Sequence, residues 1–202
     1  MNDFKTSLTQ PELGTLYVEM VVPLHFQPCL QQSNVEKKTI LAMHQMFADQ
    51  RPDTALISFG LCGIMLANHL LRSEHAPQEM GVLATELKYF CIDIAERYGR
   101  AWINAREDYG HCDPEEEKEL LIECPDNLNA FGSIVQEIHE LSDEQTVVEL
   151  AKMMEYQAYA HANIAESYLE MLDPEKKRCR WIRSRHLMNI QRQSAFIKQS
   201  SL

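Results

Sequence analysis

Apolar positions recur every three to four residues along most of this chain, which is the spacing of amphipathic helices. Pro11 and Glu12 open the first such pattern, with Leu13, Leu16, Tyr17, Met20, Val21 and Leu24. Val18, Val21 and Val22 make a short strand over about 15–26 the competing reading, and Pro23 and Pro28 end the segment either way. Ser33 or Asn34 can cap a helix from Val35 to Ala48, with Ile40, Leu41, His44 and Phe47 on its apolar side. Arg51-Pro52 breaks that helix, and Asp53 caps the next.

Residues 54–71 form a run of 18 without a formal charge, at the lower edge of membrane-spanning length. Ser58, Asn68 and His69 interrupt it, and there is no second apolar run. A buried core helix is therefore expected. Gly60, Gly63 and Ala67 share one of its sides, where a neighbouring helix can approach closely.

Pro77 begins a helix to Arg106 carrying Leu83, Leu87, Phe90, Ile94, Tyr98, Ala101 and Ala105. Asp113-Pro114 reads as a cap and first turn, opening a short acidic helix that stops before Pro125. Another helix spans Leu128 to Leu141. Ser142 and Gln145 have capping-box spacing. The helix they open runs to Leu172, with Val147, Leu150, Met154, His161, Ala165, Tyr168 and Leu172 on one side. Asp173-Pro174 caps a final helix to about Lys198. The pattern thus predicts an all-α fold: one irregular bundle of about six to eight helices.

Charge divides the chain. Of 19 basic residues, eight lie between Lys176 and Leu202, where no acidic residue occurs. Residues 1–175 hold the other 11 and all 30 acidic residues, a net −19. Two regions follow: an acidic helical domain over 1–172, and a basic C-terminal helix over 173–202 that packs on the body or on a partner. The basic helix carries Trp181, Ile182, Leu187, Met188, Ile190, Phe196 and Ile197, too much apolar surface for a solvated tail.

The start of the chain lacks a basic n-region followed by an apolar stretch. Cysteines 29, 62, 91, 112, 124 and 179 contain no C-x-x-C pair, which reads as free thiols in a reducing compartment. A cytoplasmic protein is the expectation.

Catalytic signatures are missing. There is no glycine-rich phosphate loop, no G-x-S-x-G and no H-E-x-x-H. A di-iron bundle needs Glu-x-x-His on each of two helices. The nearest motif, Glu137-Ile-His139, sets its side chains about 200° apart on a helix. His111, Cys112, Asp113 and Cys124 match no zinc spacing. No cofactor and no metal are expected. Three histidines, His44, His69 and His161, fall on apolar helix faces.

Three functions remain. The first is a non-enzymatic adaptor or chaperone that binds a segment of a partner protein, consistent with ten methionines suited to adaptable surfaces. Its partner-binding residues would be Glu115, Glu116, Glu117 and Glu119, with Trp181, Arg183 and Arg185. The partner would present a basic or amphipathic segment, with neither nucleic acid nor membrane involved. In size and acidity, though in no motif, the chain is similar to the small acidic chaperone-adaptors of bacterial type III and type IV secretion systems. The alternative is a helical cofactor- or metal-binding enzyme with a pocket near His161. The third is a nucleic-acid-binding regulator acting through the basic C-terminal helix.

Overall fold

The computed structural model describes residues 21–73, 77–106 and 114–172, and all of their secondary structure is helical. The helices are α1 (Val21–Cys29), α2 (Lys37–Ala48), α3 (Pro52–Arg72), α4 (Gln78–Arg106), α5 (Pro114–Leu141) and α6 (Gln145–Leu172). The chain divides into two compact units, residues 1–164 and 165–202. The described part of the second is the last two turns of α6, on which Tyr168 and Met171 are exposed. The final basic helix expected from the sequence lies outside the described residues.

The uncharged run forms the centre of the first unit. Ala55, Leu56, Phe59, Cys62, Leu66 and Ala67 of α3 are fully buried. α3 packs most extensively on α4 and also meets α1 and α5. Among the described residues it is the one helix long and apolar enough to cross a membrane, and here it is the core helix.

The small residues of α3 make that packing close. A Cβ at Gly60 would stand 3.1 Å from the Cys91 carbonyl oxygen and 3.3 Å from the Ala95 Cβ. At Gly63 it would overlap the Cys91 sulfur. Glycine there brings the α3 and α4 backbones nearer than any side chain would allow.

The local boundaries correct several expectations. The described part of the proposed strand segment, from Val21 onward, is helical. Pro23 falls in the first turn of α1, where its missing N–H has no intrahelical acceptor to lose. α2 starts at Lys37 with Glu36 at its cap, and no side chain caps it, so neither Ser33 nor Asn34 plays that part. Its buried face is Met43 and Phe47, while Leu41 is exposed. Arg51, not Asp53, is the cap residue of α3, with Pro52 in the first turn. Asp53 instead binds the Arg51 guanidinium at 3.0 and 3.2 Å. The capping box is not formed: Ser142 Oγ accepts the Glu144 N–H at 3.2 Å, and Gln145 reaches forward to Glu149.

The largest correction is α5, a single helix running through Pro125 rather than two short ones. A proline inside a helix removes one hydrogen bond and crowds the preceding turn, at a cost of about 3 kcal/mol. α4 binds α5 on either side of the proline. The buried Tyr98 hydroxyl donates to the Leu120 carbonyl at 2.8 Å and accepts from Asn127 Nδ2 at 3.0 Å. Arg97 of α4 adds an exposed ion pair with Glu123 at 2.6 Å. Tyr98→Phe is expected to lower stability by about 1–2 kcal/mol in urea unfolding, because it leaves Leu120 and Asn127 short of a buried partner. Glu123→Gln, which breaks only the exposed pair, should cost no more than about 0.5 kcal/mol in the same assay.

Candidate functional site

α6 differs from α3 in how it is held. Its inward stripe is apolar through Val147, Leu150, Met154, Ala158 and Ala162, all buried. Alongside stand three buried polar side chains, Thr146, Gln157 and His161. Each donates to a backbone carbonyl of the segment that includes α2. Thr146 Oγ1 reaches Gln32 at 2.7 Å, Gln157 Nε2 reaches His44 at 3.1 Å, and His161 Nε2 reaches Phe47 at 2.8 Å. The Phe47 carbonyl belongs to the last turn of α2 and also accepts the Gln50 N–H at 3.0 Å, so His161 is its second donor. His161 therefore ties α6 to the end of a neighbouring helix.

This geometry defines the role of His161. The ring is 1% exposed, and its edge meets Phe59 at a centroid distance of 6.1 Å. A carbonyl only accepts, so Nε2 carries the proton and Nδ1 holds the lone pair, which has no hydrogen-bond partner. Burial holds the imidazole below its ordinary value of 6.5, against the opposing effect of the Phe47 carbonyl. Binding a cofactor through Nε2 would first require releasing Phe47.

The other helix-face histidines are also cross-links. His69 donates to Glu144 at 3.0 Å, joining the end of α3 to the start of α6. His139 of α5 donates to Glu155 of α6 at 2.8 Å. His44 accepts from Gln157 Nε2 at 3.0 Å through Nδ1.

The outward side of α6 in the first unit carries an open hollow of about 380 Å³. Among the described residues it is lined by Glu155, Tyr156, Tyr159, Ala160 and Asn163. Its walls are positioned from below. The Tyr159 ring lies over Gly132 of α5, where a Cβ would come within 2.8 Å of Cε1. Its hydroxyl is 3.4 Å from Ser133 Oγ. The Tyr156 ring meets His44 edge-on at 5.6 Å and remains 67% exposed, and Leu41 of α2 is 70% exposed. Glu155 is oriented by His139. The hollow thus combines two aromatic rings, an amide and a carboxylate on rigid helical backbone.

The chain matches no protein-family model, no curated protein and no solved structure.

The described residues that line this hollow are not among those singled out from sequence. Glu115, Glu116 and Glu117 occupy the first turn of α5, where acidic residues suit the helix dipole, and Glu119 is exposed one turn on. Trp181, Arg183 and Arg185 lie outside the described residues, as do His111, Cys112 and Cys179. The four described cysteines, Cys29, Cys62, Cys91 and Cys124, are free and buried. Burial raises the Cys62 and Cys91 thiols and pushes Cys124 up to about 12, so these three are protonated near neutrality and poor nucleophiles. Among the described residues, no three His, Cys, Asp or Glu side chains are grouped to hold a metal ion.

Sequence reasoning missed the hollow, although a signal for it exists. Tyr156 and Tyr159 fall off the apolar stripe of their own helix, so two large aromatic residues are left on its outer side.

Proposed function

We propose that the chain is a non-enzymatic adaptor or chaperone that binds a segment of a partner protein in the outer hollow of α6. The observation that carries this reading is the hollow itself. Tyr156 and Tyr159 offer large, rigid contact area at low entropic cost, and tyrosine is enriched at protein interfaces. The oriented Glu155 adds a carboxylate that can fix the register of a bound backbone. The chemistry of the described histidines and cysteines supports binding over catalysis: His161 serves α2, and Cys62, Cys91 and Cys124 are buried thiols. Cytoplasmic residence is part of the same proposal, and free cysteines suit a reducing compartment.

Gly132→Ala tests the reading without disturbing the core. Alanine gains about 1 kcal/mol of helix propensity over glycine. Its methyl must also push aside the outer edge of the Tyr159 ring. These effects oppose each other, so stability should change by less than about 1 kcal/mol. Displacement of Tyr159 should still weaken partner binding at least tenfold, measured by titrating the co-purified partner onto the immobilised full chain. Full-strength binding by this variant and by Tyr156→Ala would show that the partner sits elsewhere. Loss of binding only on deletion of residues 173–202 would move the site to the basic segment.

A further inference from the structure

Two of the four histidines that tie α6 to its neighbours need to be neutral, and both lie on α2 or contact it. At His161 the requirement comes from the Phe47 carbonyl, which fixes the proton on Nε2 and leaves Nδ1 buried without a partner. At His44 it comes from Gln157. The Gln157 Nε2 donates to the His44 carbonyl, which identifies that atom as the amide nitrogen. The same nitrogen donates to His44 Nδ1, so Nδ1 is the unprotonated acceptor. A second proton on either ring goes to Nδ1. On His44 it sets one N–H against another, and on His161 it creates an unpaired buried cation. The remaining two histidines face carboxylates, Glu144 and Glu155. A proton there turns a hydrogen bond into an ion pair.

We propose that mild acid opens the seam between α2 and α6 while the links from α3 and α5 to α6 stay closed. The surroundings of the two rings allow this. His161 meets Phe47 of α2 and Phe59 of α3, with Gln157 one turn away on its own helix. His44 meets Gln157 and Tyr156 of α6, and Tyr156 stays uncharged at acidic pH. On α2 the Asp49 carboxylate is taken up by Gln45 at 2.9 Å. Among the described residues, no carboxylate supports a proton on either ring. Burial lowers both imidazoles from their ordinary value of 6.5. An opened α2 frees them to bind protons near that value. Opening therefore takes up protons, and docking of α2 weakens as pH falls through about 6.5. Linkage sets the ceiling at about a tenfold gain in opening for each ring at about pH 5.5.

Backbone amide exchange on the full chain, corrected for its intrinsic pH dependence, reads this directly. Between about pH 7.5 and about pH 5.5, protection over residues 37–48 should fall at least about fivefold more than over residues 128–141. His44→Gln with His161→Gln should remove that extra loss, since neither glutamine titrates. Unchanged α2 protection in the wild-type chain, or a uniform loss across all helices, would overturn the proposal, and neither outcome depends on the variant folding.

Discussion

Gly63→Val is expected to destabilise the protein by about 3 kcal/mol or more, the upper end of the cost of overpacking a core. A single Cβ at this position already overlaps the Cys91 sulfur and stands 3.1 Å from the Phe131 ring. Valine adds two further methyls to the same space. Neither neighbour has an exit, because Cys91 is 0% and Phe131 is 1% exposed. The strain must pass to the α3 and α4 backbones. Chemical denaturation measures the loss, and a second variant identifies its origin. Gly63→Ala combined with Cys91→Ala should be more stable than the sum of the two single changes by about 1–2 kcal/mol, because shortening Cys91 makes room for the new methyl. The opposite sign is expected at Gly81 and Gly99 of α4, where an added Cβ meets nothing within 4 Å. Alanine at either should stabilise by about 0.5–1 kcal/mol through helix propensity. The effect of adding a methyl thus depends on its neighbour, not on the helix it joins.

Phe59→Ala should cost about 4 kcal/mol, within the range for removing a fully buried aromatic ring. Phe59 is where four helices meet. Its ring stacks on Phe47 of α2 at 4.4 Å, tilts against Phe131 of α5 at 5.1 Å and receives the edge of His161 of α6. Truncation leaves a cavity among three other rings that are themselves fixed by helix packing. It also removes the surface against which α2 presents the Phe47 carbonyl to His161. The urea midpoint should fall without a change in slope, the mark of lost stability in an unchanged fold. Phe59→Leu, which keeps much of the volume, should cost less than half as much.

The parts of this fold legible in the sequence are those set by composition along one helix. The uncharged run 54–71 could only be stable enclosed, and α3 is enclosed. Gly60 and Gly63 marked a close approach before the approaching helix was known. Features depending on a second helix were not legible. Pro125 looked like a terminus, and the helix that runs through it is bound on either side of the proline by Tyr98, 27 positions earlier in the chain. Of the positions that spacing put on the apolar side of α2, Phe47 took the core, joined there by Met43, while Leu41 is exposed, because α2 is turned so that Gln157 and His161 of α6 meet its His44 and Phe47 carbonyls. Tyr168 likewise followed the inner stripe of α6 and is exposed. For the candidate site, the sequence drew attention to charge at Glu115, Glu116, Glu117 and Glu119, whereas the shaped surface is aromatic and needs Gly132 beneath Tyr159. A glycine on one helix and a tyrosine on another have no joint signature until the helices are paired.

If the outer hollow of α6 receives a protein segment, site-specific photo-crosslinking from its rim will capture that segment. A photoreactive phenylalanine would replace Tyr156 in the full chain, expressed in its own host, with a second preparation carrying it at the exposed Tyr89 of α4 as a control. A single crosslinked partner is expected from position 156, joined through one contiguous segment, and none from position 89. Crosslinking from 89 alone, or from neither position while a partner still co-purifies, would contradict it.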